Sequence, residues 1–295
     1  MHHLTDRNCP YPRLCAHRGY NAIAPENSLP ALAMAMAMGA QEIEMDLWTS
    51  KDGDWIVCHD ATVDRTTNGT GRISDLTTKE LRALEAGSWF SPDYRGIQLP
   101  LFEEVLDLAA GKVVLDIHIK SPGRTYHPCD EIKARNRDIS GGYWSHKIIM
   151  PPLPDERGVT YPEDDLSKLT PFPEKEFQSL LDMLDKYNCR EYAYICGEVD
   201  VLSTARRMAP DIPRCNLEGH NNFSIVEHAI AYDCKKLTFT KGYTSKEMVR
   251  KAHDYGIACN MFWCDDEAEA RAYFDAGIDC VLTNNIGHVA NVFRK

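Results

Sequence analysis

Residues 237–283 read LTFTKGYTSKEMVRKAHDYGIACNMFWCDDEAEARAYFDAGIDCVLT. Three short β-rich runs, Leu237–Thr240, Ile257–Trp263 and Cys280–Thr283, are separated by Met248–Tyr255 and Ala268–Ala276, where apolar residues recur at three- and four-residue spacing. Gly256 and Gly277 each close a helical run directly before a strand, where a helix needs its stop. Strand, helix and strand in this succession is the repeating unit of a parallel sheet.

The same alternation extends towards the N-terminus. Strand-like runs occur at Arg13–Ala16, Glu42–Trp48, Val113–Ile119, Glu191–Cys196 and Pro213–Leu217. Amphipathic stretches at Leu29–Met38, Phe177–Tyr187, Val201–Met208 and Ile225–Tyr232 lie between them. The first helix opens on Pro25-Glu26-Asn27-Ser28, a capping sequence, and ends at Gly39. Eight strands with helices after most of them predict an α/β fold of the (β/α)8 TIM-barrel type, a single domain over residues 1–295. An open doubly wound sheet is the main rival, but no Gly-x-Gly-x-x-Gly turn follows the first strand.

Two segments interrupt the alternation. Residues 49–111 form an insertion after strand two. It contains a Lys51-Asp52-Gly53-Asp54 turn, a return strand Trp55–His59 and a helix at Lys79–Leu84. Residues 121–172 carry 7 of the 16 prolines and show little periodicity. Without them the chain approaches the roughly 250 residues of a plain barrel. Tyr126, Tyr143, Trp144 and Tyr161 suit an ordered lid over the catalytic face.

Composition narrows the function. A formal net charge of −11, with no visible basic patch, argues against a nucleic-acid partner. No run of 18 apolar residues is present to span a membrane, and the N-terminus lacks the apolar stretch of a signal peptide. The eleven cysteines are scattered, mostly within apolar runs, and form no Cys-x-x-Cys pair. They read as small packed thiols in a reducing, cytoplasmic setting.

In a barrel, reactive groups project from the C-terminal ends of the strands. Here those ends are polar. Strand one runs into His17-Arg18-Gly19, strand two carries Glu44-Met45-Asp46, the return strand ends in His59-Asp60, and strand three places Asp116, His118 and Lys120 on one face. Alone, a Glu-x-Asp pair is a solvated strand face and His118 a core histidine. Flanked by Ile43, Met45 and Leu47, however, two buried carboxylates need a cation. With a neighbouring imidazole they suit a divalent ion. Arg18 and Lys120 suit an anionic group such as phosphate, and His17 and His59 suit acid–base work near neutrality. Together these features describe phosphodiester cleavage better than carbonyl or redox chemistry.

The motifs also occur in an order that resembles one family. His17-Arg18-Gly19, Pro25-Glu26-Asn27-Ser28, Glu44-x-Asp46, Asp52-Gly53, His59-Asp60, Arg65-Thr66-Thr67, Gly69-x-Gly71, Leu99-Pro100-x-Phe102-Glu103-Glu104-Val105 and Gly277–Asn284 follow the order of the glycerophosphodiester phosphodiesterases. The resemblance is dense over residues 13–120 and thinner beyond 174. It implies one divalent cation, magnesium or calcium, at Glu44, Asp46 and a third acid. It also implies His17 and His59 as the acid–base pair, and Arg18 and Lys120 on the phosphate of a small phosphodiester. In the scheme it implies, a glycerol hydroxyl attacks phosphorus, and water then opens the cyclic phosphate to glycerol 3-phosphate.

The chain departs from the family pattern in three places. His118-Ile119-Lys120 stands where Glu-Ile-Lys is usual, which favours manganese, zinc or iron over calcium. Asp116 lies about 6.6 Å deeper on the same strand face. Asn284-Asn285-Ile286-Gly287 replaces an Asp-x-x-Pro ending, and residues 121–172 lengthen the loop after strand three. Glu218 and His220, after strand five, are compensating ligand candidates. The readings in play are a hydrolase, a phospholipase-D-like lyase stopping at the cyclic phosphate or acting on a sugar phosphodiester, and a non-catalytic phosphodiester-binding barrel. A homo-oligomer is compatible with any of them.

Overall fold

The computed structural model describes residues 8–121, 170–217 and 223–293. Glu218, His220 and nearly all of the 121–172 insertion fall outside these ranges. Nine strands lie in one sheet among the described residues: β1 (Arg13–Ala16), β2 (Glu42–Thr49), β3 (Trp55–Val57), β4 (Val114–Ile119), β5 (Ala193–Gly197), β6 (Arg214–Asn216), β7 (Lys236–Thr240), β8 (Ala258–Phe262) and β9 (Cys280–Thr283). The order is β1-β9-β8-β7-β6-β5-β4-β2-β3, and β1 also pairs with β2. Eight of them are parallel neighbours around a closed ring, a (β/α)8 barrel. The other, β3, is an antiparallel hairpin strand hung on β2, with Leu47 opposite Val57 and Thr49 opposite Trp55.

The helices are α1 (Leu29–Ala37), α2 (Thr78–Arg82), α3 (Phe102–Ala109), α4 (Glu174–Lys186), α5 (Val199–Met208), α6 (Ile225–Ala231), α7 (Lys246–Asp254), α8 (Glu267–Asp275) and the short α9 (Ile286–Val289). Ser28 caps α1 by accepting from the Ala31 amide, and Thr77 and Glu80 form a reciprocal capping box on α2. None of these helices is long and apolar enough to cross a membrane.

Residues alternating along the strands sort into two layers. Ile43, Met45, Leu47, Leu115, Ile117, Ile119, Ile195, Leu237, Phe239, Met261 and Val281 face outward and pack with helix residues such as Leu32, Phe102, Leu106, Phe177, Leu202 and Val249. The set facing the barrel axis is polar where such barrels usually hold branched aliphatics. On β2 the inward residues are Glu42, Glu44 and Asp46, all buried. Deepest of the three, Glu42 is 2.7 Å from Arg13 and 3.4 Å from Lys236, and it accepts from the Tyr194 hydroxyl at 2.6 Å. That cluster satisfies charges that could not be buried alone.

Within residues 49–111 the structure separates two parts. Helix α3 packs its Phe102, Val105, Leu106 and Ala109 into the main core as an ordinary barrel helix. Residues between β2 and Leu101 instead build a satellite core of Ile56, Cys58, Val63, Ile73, Leu81, Ala86 and Leu99. The return strand is shorter than expected: it ends at Val57, one further bond joins the Cys58 amide to the Asp46 carbonyl at 3.0 Å, and the His59-Asp60 turn follows. The ten described cysteines are all unbonded and buried.

Candidate active site

His17 follows β1, with its amide donating to the Thr283 carbonyl at 2.9 Å. The turn beyond it needs Gly19 at φ +82°, because a Cβ there would lie 2.5 Å from the Ala31 carbonyl carbon and 2.7 Å from the Leu32 nitrogen of α1. Between them Arg18 sits at φ +56°. Its backbone amide donates to Glu44 Oε2 at 2.9 Å, and its guanidinium lies 2.9 Å from Glu26 and 3.3 Å from Asp46 Oδ2. Register does the rest, since Glu44 is level with Asp116 and Asp46 with His118 across β2 and β4.

Glu44, Asp46 and His118 converge, each offering a donor atom within 4.8 Å of the others. His118 Nδ1 is 3.2 Å from Asp46 Oδ1 and 3.9 Å from Glu44 Oε1. It also lies 3.1 Å from Lys120 Nζ, so Nδ1 either donates to Asp46 or accepts from Lys120 according to the tautomer. Lys120 Nζ is 2.9 Å from Asp46 Oδ1. Lys120 and Arg18 offset part of the negative charge gathered there, and two carboxylates beside an imidazole remain a donor set for a further cation. The donor set therefore fits a divalent ion, with oxygen ligands for magnesium or manganese and a nitrogen ligand that favours the borderline metals.

Electrostatics bear on the same groups. Burial, reinforced by Asp46, pushes the Glu44 carboxyl up to about 8. Burial works in the same direction on Asp46, but Lys120 and His118 overcome it and hold that group well below the usual carboxylate range. His17 and His118 are both driven down to about 4, by burial first and then by Arg18 and Lys120 respectively. Asp116, deeper on β4, is pushed well up by burial and by Cys215 and Glu44, and it lies outside the cluster of Glu44, Asp46 and His118.

His59 lies beyond β3. Its Nδ1 is 2.7 Å from Asp60 Oδ1, and its carbonyl accepts from the Trp48 indole at 3.1 Å. Arg65 grips Asp60 at 2.7 Å and Glu26 through two bonds of 2.7 and 2.9 Å. Glu26 in turn meets Arg18. A continuous chain of charges thus runs from His59 through Asp60, Arg65 and Glu26 to Arg18. His59 is lowered chiefly by burial, and Asp60 falls to about 2 because Arg65 bonds it.

The sequence reading did not foresee the roles of Glu26, Asn27, Asp265 and Asn284. Asn27 donates to Asp46 Oδ2 at 2.9 Å, and Asn284 Oδ1 lies 2.8 Å from His17 Nδ1. Their signal was present: all four sit in the loops that follow β1, β8 or β9, at the barrel's C-terminal mouth. A second donor trio, His253, Cys259 and Asp279, lies at the opposite end of the strands. There the 2.8 Å His253–Asp279 pair and the fully buried thiol account for the arrangement.

Residues 17–148 match the glycerophosphoryl diester phosphodiesterase family. A glycerophosphodiester phosphodiesterase of Bacillus subtilis is 41% identical over 281 residues, which cover 91% of this chain and 82% of that protein. A second, from Caldanaerobacter subterraneus, is 44% identical over 107 residues, and there the matched stretch spans only 44% of the relative's length. Among solved structures, an Oleispira antarctica phosphodiesterase in complex with the product sn-glycerol-3-phosphate superimposes with a TM-score of 0.73 at 21% identity, covering 97% of this chain and 98% of that one.

Proposed function

The chain belongs to the glycerophosphoryl diester phosphodiesterase family, and from that premise we propose that it hydrolyses a glycerophosphodiester to glycerol 3-phosphate and an alcohol, with a divalent cation at Glu44, Asp46 and His118. The observation that carries this reading is the bracket of two imidazoles, each engaged at Nδ1 by an oxygen, around the three-ligand cluster. When bound, the ion supplies positive charge against the phosphoryl oxygens.

This chain's own groups do the remaining work. Arg18 and Lys120 set fixed positive charge beside the phosphate position. One imidazole takes the proton of the glycerol hydroxyl as that oxygen bonds to phosphorus. The other gives a proton to the departing alcohol oxygen as its bond to phosphorus breaks. The roles then reverse as water opens the cyclic phosphate. Borderline metals suit His118 best, so manganese is the expected activator.

The test is release of glycerol 3-phosphate from a panel of glycerophosphodiesters with magnesium, calcium, manganese or zinc, each against a chelator. Metal-dependent release establishes the reading. Accumulation of the cyclic phosphate in its place would make the protein a lyase, and silence across the panel would refute both.

A further inference from the structure

We propose that Asn284 and Asp265 are positioning residues that hold His17 as its Nδ1–H tautomer, with Nε2 open towards the reacting atoms. The proposal rests on the reading of His17 as an acid–base group, but its central claim is checked without turnover.

The argument starts from a backbone oxygen. The carbonyl of His17 can only accept, and the side-chain nitrogen of Asn21 lies 2.9 Å from it, which fixes that amide's orientation. The same nitrogen lies 2.8 Å from one atom of the Asn284 side chain, so that atom must be the oxygen. On the other side the Asn284 nitrogen lies 3.3 Å from Asp265 Oδ2, a carboxylate that only accepts. Both neighbours therefore force the same orientation. The Asn284 oxygen then faces His17 Nδ1 at 2.8 Å, a contact that is a bond only if Nδ1 carries the proton. Nε2 is left with its lone pair, 4.0 Å from Glu44 Oε2, on the side of the metal-ligand cluster.

Asp265 holds this arrangement from behind. Its Oδ1 accepts from the Thr283 hydroxyl at 2.9 Å, from the Asn284 amide at 2.7 Å and from the Asn285 amide at 3.2 Å, and its Oδ2 accepts from the Trp263 indole at 3.1 Å. One carboxylate from the turn after β8 thus orders the whole exit turn of β9 and aims the Asn284 side chain. Phe262 closes the remaining side of the imidazole in an edge contact at 4.9 Å. A base held in the wrong tautomer presents a proton where its lone pair is needed.

The experiment is a long-range proton–nitrogen correlation spectrum of protein labelled with 15N-histidine, at pH 8, with the His17 signals assigned by their loss in His17→Gln. The expected pattern is Nδ1 protonated and Nε2 bare. Asn284→Ala should move His17 towards the Nε2–H form and lower kcat about 100-fold with KM within about threefold. Asn284→Asp, which still accepts from Nδ1, should keep the tautomer and recover most of the turnover. Asp265→Asn should give an intermediate loss at unchanged manganese affinity. An Nε2–H signal in the unmutated protein, or an unchanged tautomer in Asn284→Ala, would overturn the proposal. Absence of turnover in the unmutated protein would instead strike the hydrolase reading, and the spectrum would still decide the tautomer.

Discussion

Asn27 and Asp46 exchange two hydrogen bonds: the Asn27 side-chain nitrogen donates to Asp46 Oδ2 at 2.9 Å, and the Asp46 amide donates to Asn27 Oδ1 at 3.2 Å. The loop that starts α1 is thereby tied to Asp46 on β2, a proposed ligand carboxylate. It is tied to the β1 turn as well, because the Asn27 amide donates to the Arg18 carbonyl at 3.0 Å. The four residues Pro25–Ser28 thus start a helix through Ser28 and orient the site through Glu26 and Asn27.

Removing one ligand should abolish tight cation binding without unfolding the barrel. Glu44→Ala is expected to weaken manganese affinity by more than the roughly 10–100-fold that loss of an outer-shell partner costs. Calorimetric titration measures this, and circular dichroism confirms the fold. Unchanged metal content would remove Glu44 from the ligand set.

The pH dependence of the chelated protein follows from the same groups. His17 and His118 titrate lower in the folded chain than in the unfolded one, so the unfolded state binds more protons and stability rises between about pH 4 and 6.5. Glu44 is raised, so between its ordinary value and about 8 the folded state holds the extra proton and its contribution falls with pH. Above pH 6.5 only this last trend remains of the three. Melting temperature should therefore decline from pH 6.5 to beyond 8, and Glu44→Gln should flatten the decline.

Replacing either His17 or His59 with Ala should lower kcat by about 10²–10⁴-fold with little change in KM. Steady-state release of glycerol 3-phosphate separates the two parameters. A rise in KM alone would recast the imidazole as a binding group.

His118→Glu should shift the preferred activator towards magnesium or calcium, since an anionic oxygen replaces a neutral nitrogen. Competition between manganese and magnesium measures the shift. An unaltered preference would mean that His118 lies outside the coordination sphere.

At the opposite end of the barrel, Glu42→Ala should destabilise the protein in urea unfolding, because it removes a buried carboxylate that Arg13, Lys236 and Tyr194 share. The proposed ligands begin one inward position above, at Glu44, and Glu42 is not among them, so metal affinity in the surviving folded protein should change far less than in Glu44→Ala.

Much of this was legible in the sequence. Strands and helices announce themselves through periods of two and near four, and β1 and β9 begin and end where the apolar runs do. Glu44, Asp46, His118 and Lys120 could be placed on one face because strand alternation is strict. The partners that aim them were not legible, because Asn284 reaches His17 across 267 residues and Arg65 reaches Glu26 across 39. Contacts of that kind depend on loop paths that no local period encodes. The end of the return strand differs for the same reason: Cys58 and His59 follow on from Trp55–Val57 in composition, but after the Cys58 amide bonds the Asp46 carbonyl the chain turns away at His59.

The two imidazoles rest on mechanically different supports. His17 stands on a strand of the closed ring, which has no free edge and resists local opening. His59 follows a three-residue strand that is held on both faces, Trp55 and Val57 in the main core and Ile56 in the separate cluster with Val63 and Leu81. The two halves of the site thus differ in support: Glu44 and Asp46 stand in the ring itself, whereas the turn bearing His59 also depends on the satellite cluster that Ile56 and Cys58 share with Val63 and Leu81.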